Sequence, residues 1–146
     1  MIKKINSECK FNDNIFKMKI GTTNKKNPNT IYIELGTYIT PISNKQTYSE
    51  DIDYLEKGIK TFVKTRLGRE NMSKDFILIV DVADERINQN KKSYLEIQLF
   101  IKTGKTDNLS FKDLSNKFHE EYGKDLMSCI KNNLNDLGFI YSKTKK

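Results

Sequence analysis

The chain has 146 residues, enough for one domain of ordinary size. With 36% hydrophobic residues, no tryptophan and eight phenylalanines, its core must be built from Phe, Ile and Leu. No stretch approaches the roughly 20 apolar residues that span a bilayer. The two cysteines, Cys9 and Cys129, and the single histidine are too few for a disulfide framework or a transition-metal centre.

The net charge is +7, but it is unevenly placed. Lys3, Lys4, Lys143, Lys145 and Lys146 lie in two ends that contain no acid, and removing those five charges from +7 leaves +2 for residues 5–142. Residues 1–6 carry the charge of a secretion signal without the apolar run that should follow, so a cytoplasmic protein is expected. Lys, Asn and Ile dominate, and Arg66, Arg69 and Arg86 are the only arginines. This bias matches AT-rich genomes and suggests a bacterium, a phage or another mobile element. Scarce arginine also disfavours the bidentate contacts of a specific DNA reader. Abundant lysine suits non-specific phosphate attraction and solubility equally.

Taken in chain order, Asn12-Asp13-Asn14 is a turn cluster, and Ile15–Thr22 sets Phe16, Met18 and Ile20 against Lys17 and Lys19, the alternation of a strand. Pro28 sits in a polar loop over residues 24–29. Ile31, Ile33, Leu35, Thr37 and Ile39 then alternate with Tyr32, Glu34, Gly36, Tyr38 and Thr40, giving a second strand that Pro41 ends. Thr47-x-x-Glu50 has the form of a capping box. Ile52, Leu55, Ile59, Phe62, Val63 and Leu67 follow at helical spacing, with Gly68 as the stop and Gly58 marking close approach to the sheet.

Asp75–Ala83 and Ser93–Lys102 form the strongest strand pair. The first is apolar on both faces and is expected at the sheet centre or covered on both faces. The second points Leu95, Ile97, Leu99 and Ile101 inward and Tyr94, Glu96, Gln98 and Phe100 outward. Ser110-x-x-Asp113 starts a helix through Phe111, Leu114 and Phe118, which Gly123 is expected to break. Met127, Ile130, Leu134 and Leu137 continue the apolar stripe, and Phe139–Tyr141 has the composition of a short last strand.

These elements define an α+β fold. It is an antiparallel sheet of four to five strands with two helices on one face, in the order β-β-α-β-β-α-(β). It reads as a ferredoxin-like variant in a single domain over 1–146, with flexible basic ends near 1–6 and 142–146. In that arrangement the last strand and the extra first strand compete for one place, so the last strand is expected to be marginal or absent.

Three surfaces are candidates for function. Tyr32, Tyr38, Tyr94 and Phe100 share one face of the sheet, where aromatic rings can stack bases or meet a protein. Glu34, Glu96 and Asp81 share that face and repel phosphate. A basic rim of Lys25, Lys26, Arg69, Lys74, Lys102 and Lys105 is expected at one end of the sheet. The third surface is an open strand edge, which suits a protein partner or a homodimer.

Asp81 on one strand and Glu96-Ile97-Gln98 on the next resemble the PD-(D/E)xK nuclease pattern, with Gln98 where that family carries lysine. The resemblance spans Asp81–Gln98. It implies Asp81 and Glu96 sharing a divalent cation. His119 lies between Phe118 and Glu120 on a helix without nucleophile spacing. Gly104-Lys105-Thr106 lacks the glycine-rich run of a phosphate-binding loop. No catalytic residue, metal site or cofactor is expected. The expected function is a non-enzymatic macromolecular binding domain of the accessory or inhibitor type, docking on a protein. Non-specific nucleic-acid binding is the alternative, Mg-dependent nuclease activity the more distant one, and no membrane partner is expected.

Overall fold

The computed structural model describes residues 7–12, 16–22, 30–42, 48–82, 93–102 and 110–142. Six strands form one sheet: β1 (Ser7–Lys10), β2 (Lys17–Thr22), β3 (Thr30–Pro41), β4 (Phe76–Val82), β5 (Ser93–Lys102) and β6 (Phe139–Ser142). Every strand pairing is antiparallel, and the order runs β1-β2-β3-β5-β4, with β6 also on β3. The helices are α1 (Ser49–Arg66), α2 (Phe111–Phe118) and α3 (Lys124–Asp136), and a π turn at His119–Gly123 joins the last two.

The alternation read from the sequence decides the two faces. Ile31, Ile33, Leu35 and Ile39 on β3 and Leu95, Ile97, Leu99 and Ile101 on β5 are buried with Leu55, Ile59 and Val63 of α1. Leu126, Ile130 and Leu134 of α3 join the same core. The opposite sheet face carries the polar and aromatic members of each strand.

The sheet has more strands than the sequence pattern indicates, because the N-terminal segment folds into a hairpin of its own, β1 on β2. The last strand does form, contrary to the expectation from competition. β3 is 12 residues long, and its first part pairs with β2 while Tyr38–Pro41 pair with β6. Tyr38 and Ile39 also pair with β5, so β6 lies on the β2 side of β3. The two strands therefore stand end to end along one edge and do not compete.

The place of β4 also differs. It is an edge strand, and its second apolar row, Ile77 and Ile79, faces outward at 46% and 37% exposure. Apolar residues on both faces thus do not mark a covered strand here.

In the helices, Gly123 does not break the chain. The Lys124 N–H donates to His119 O, an i to i+5 bond that carries the helix through the π turn. Tyr48, not Thr47, is the N-cap of α1, and its side chain makes no capping bond; Thr47 lies outside the described residues. Gly68 ends α1 at a φ of 65°, a backbone geometry that favours glycine. Ser110 caps α2, accepting from the Asp113 N–H at 3.1 Å. Gly58 approaches the other helix and not the sheet: a Cβ there would lie 2.3 Å from Asn133 Nδ2.

Candidate functional site

Strand register arranges the open face in rows. Gly21, Tyr32, Phe100 and Ile77 form one row, and Lys19, Glu34, Gln98 and Ile79 the next. Lys17, Gly36, Glu96 and Asp81 form a third, with Tyr38 beside Tyr94 beyond it. All four aromatics expected on this face are there, but they are unequally accessible. Tyr32 is only 4% exposed; its ring lies 4.6 Å from that of Phe100, and its hydroxyl donates to Glu34 Oε2 at 2.5 Å. Burial, that hydrogen bond and the charges of Glu34 and Glu96 push the Tyr32 hydroxyl above its ordinary range. Phe100, Tyr38 and Tyr94 are half-buried.

Tyr94 has a structural duty. Its ring meets Tyr38 edge-on at 4.9 Å, and its hydroxyl covers Gly36, where an added Cβ would fall 1.7 Å away. An aromatic side chain closing over a strand glycine on a neighbouring strand is a recognised sheet device. Burial, then Glu96 and Glu34, raise the Tyr94 hydroxyl as well.

The carboxylates of the face strain one another. Glu96 stands directly across from Asp81. Its carboxyl is pushed up by burial, then by Glu34 and Asp81, and is relieved in part by the hydrogen bond from Gln98 and by Lys19. Among the described residues no three His, Cys, Asp or Glu side chains are grouped so as to hold a metal ion. Asp81 and Glu96 meet as the resemblance to the nuclease pattern requires, without a third ligand.

The edge beside this face can be derived bond by bond. The Lys102 N–H donates to Asp75 O at 3.0 Å, which makes that cross-strand pair the hydrogen-bonded kind. The register alternates from there, so Ile77, Ile79 and Asp81 bond inward to β5. Phe76, Leu78, Val80 and Val82 turn their N–H and C=O groups outward. Ser73, held at a φ of 74°, donates its N–H to Phe76 O and closes the first acceptor. No described residue pairs with the outward groups of Leu78, Val80 or Val82. The short edge strand β1 is limited to four residues, but β4 presents seven without Pro, Lys or Gly.

Of the expected basic rim, Arg69, Lys74 and Lys102 do come together at one end of the sheet. Arg69 Nε donates to Lys102 O at 2.7 Å, and the Lys74 N–H donates to Asn71 O in the turn that leads into β4. Lys25, Lys26 and Lys105 lie outside the described residues. No helix among the described residues is long and apolar enough to cross a membrane.

Sequence reasoning missed the exposure of Ile77 and Ile79. The signal was present as a strand apolar on both faces, but the same pattern describes a buried central strand. Comparison with protein-family models, with curated proteins and with solved structures finds no match for this chain.

Proposed function

We propose that this chain is a non-enzymatic binding domain that takes an extended segment of a protein partner at the free edge of β4. The segment adds as a strand, bonding to Leu78, Val80 and Val82, and lays side chains over Ile77, Ile79 and Phe100. The observation that carries this reading is the seven-residue edge on which the outward groups of Leu78, Val80 and Val82 have no partner among the described residues, next to exposed isoleucines. Strand addition of this kind takes affinity from main-chain bonds and specificity from side-chain contacts on the face. The carboxylates of Glu34, Glu96 and Asp81 add a charge preference, because a lysine or arginine of the partner would relieve their mutual repulsion. A second copy of the chain is one protein able to use the same edge.

The pairing order β6-β3-β5-β4, with α1 and α3 as crossovers, supports a ferredoxin-like core extended by β1 and β2. An accessory or inhibitor role in a bacterium, phage or mobile element is part of this proposal, and the Lys-, Asn- and Ile-rich composition is what supports the source. Non-specific nucleic-acid binding through Arg69, Lys74 and Lys102 is the second reading. It is favoured only at that end of the sheet, since the open face carries three acids.

Affinity capture with three immobilised proteins tests the first reading: the parent chain, Val80→Pro and Ile79→Lys. A partner retained by the parent and lost by both variants supports it. Equal retention by all three removes the edge from consideration. Phe100→Ala is a cleaner face variant than Tyr94→Ala, since Tyr94 also covers Gly36. Titration of labelled single-stranded and duplex nucleic acid at two salt concentrations tests the second reading, through the salt slope that phosphate contacts require.

A further inference from the structure

The groups open along β4 belong to Leu78, Val80 and Val82, which have no edge partner among the described residues. One step earlier the edge is closed, because Ser73 donates to Phe76 O and an isolated bridge sets Met72 beside Phe76. The open stretch therefore runs from Leu78 to Val82, with Val80 at its middle. In an antiparallel pair, two facing residues of the hydrogen-bonded kind exchange both of their bonds. A two-fold axis at Val80 faces Val80 with its own copy and Leu78 with Val82. Every open N–H and C=O of one copy then meets one of the other. Moving the axis to Ile79 would set Val82 against Phe76, whose carbonyl is already taken. Natural edges are commonly blunted by lysine or proline, and β4 has neither. A two-fold pair covers both β4 edges at once and leaves the four-residue β1 at the far end of each sheet.

Helix α1 adds charge complementarity to this pairing. It packs against β4, and Tyr54, Gly58 and Arg66 turn towards α3, meeting Asp136, Asn133 and Asp125. By the helical period, the side of α1 away from α3 carries Asp53 and Glu56 in its first half and Lys60 and Lys64 in its second. Across a two-fold axis the two α1 helices run antiparallel. The acidic half of each then lies beside the basic half of the other. On the open face, Ile79 stands across from Asp81 of the second copy, and the two Ile79 side chains become diagonal neighbours. The two Asp81 carboxylates become diagonal neighbours as well, which opposes the pairing, although at that separation each costs less than one main-chain bond returns.

Resting on the reading of β4 as an open edge, we propose that its partner is a second copy of this chain, paired strand to strand across a two-fold axis at Val80. One strand and one helix side make a small interface, so the dissociation constant belongs in the micromolar range. In dilute solution the chain is a monomer with its edge open. Sedimentation equilibrium over a concentration series should move from 17.1 kDa towards twice that mass. Val80→Pro and, independently, Glu56→Lys should each weaken association roughly tenfold or more. Adding Lys60→Glu to Glu56→Lys restores opposite charges across the axis and should recover it, and Asp81→Asn should tighten it. Ile79 and Asp81 of opposite copies face each other at about 4.5 Å between Cα atoms, within reach of a disulfide. An oxidised mixture of Ile79→Cys and Asp81→Cys chains should therefore cross-link unlike chains in preference to like. A parent chain that stays at 17.1 kDa at the highest concentration overturns the proposal. So does a dimer indifferent to Val80→Pro, one weakened by Asp81→Asn, or cross-linking without preference. In a chain that stays monomeric, fast amide exchange at Leu78 and Val80 would keep the open edge and remove only the second copy; slow exchange would remove both.

Discussion

Replacing Gly58 by alanine should test the packing of the two long helices more sharply than any core truncation. In an exposed helix interior the change stabilises by about 1 kcal/mol. Here the new methyl would lie 2.3, 3.1 and 3.3 Å from Asn133 Nδ2, Cγ and Oδ1. Turning the amide about its last bond clears Nδ2, but the contact with Cγ also requires the Asn133 side chain to shift by a few tenths of an ångström. Inserting a methyl group into a packed site costs roughly 1–3 kcal/mol. The net effect of Gly58→Ala alone is then a loss of about 0–2 kcal/mol. Asn133 loses little when truncated, since among the described residues its side chain makes a weak 3.8 Å contact with Cys129 Sγ. With Asn133→Ala in place the methyl enters free space, and Gly58→Ala should regain its roughly 1 kcal/mol. A four-protein cycle followed by urea unfolding would read this as a coupling of about 1–3 kcal/mol, far above the roughly 0.3–0.5 kcal/mol scatter of independent sites. Stabilisation by Gly58→Ala in the parent background, with additive effects, would refute the close approach of α1 and α3.

Two other substitutions probe the open face and the edge. Glu96→Gln should stabilise the protein at pH 7 by roughly 0.2–1 kcal/mol, the scale of a like-charge cross-strand pair, seen as a small rise in thermal midpoint. The folded-state carboxyl is raised above its unfolded value, so protonation favours the fold. Its favourable contribution is complete below the unfolded value and is lost as pH rises through the folded one. The advantage of Glu96→Gln should therefore vanish on acidification towards the ordinary glutamate range, and an advantage independent of pH would contradict the mutual repulsion. At the edge, Val80→Pro removes an outward N–H together with part of a buried side chain, and should cost little more than Val80→Ala. Ile79→Pro removes an N–H bonded to β5 and should cost on the order of 1–3 kcal/mol more. Equal losses in circular dichroism melts would show that the alternation of β4 has been assigned to the wrong face.

Much of this fold was legible because one face of each strand is buried and a one-residue slip would expose it. The alternations of β2, β3 and β5 therefore fixed register, and the four aromatics fell on one face as expected. Ser110 acted as a cap because a hydroxyl before a helix start satisfies a free N–H whatever the tertiary context. Other features depended on partners distant in sequence. Gly58 signalled a close approach, but only the packed helices identify Asn133 as the neighbour. Gly123 looked like a helix stop, and it is instead the residue that makes room for His119 within the π turn. The length of β3 was readable, yet its capacity to hold β2 and β6 end to end follows from sheet topology. The apolar rows of β4 could not distinguish a central strand from an edge with exposed isoleucines.

Residue-resolved amide hydrogen exchange across β4 in the free protein is the most direct check that this edge is open to a partner. Ile77, Ile79 and Asp81 donate into the sheet and should exchange slowly, at rates set by opening of the β4–β5 pair. Leu78 and Val80 face outward and should exchange orders of magnitude faster, giving an alternating pattern along the strand. Equal protection of both sets would mean that the outer edge is already bonded, and would contradict its availability for strand addition.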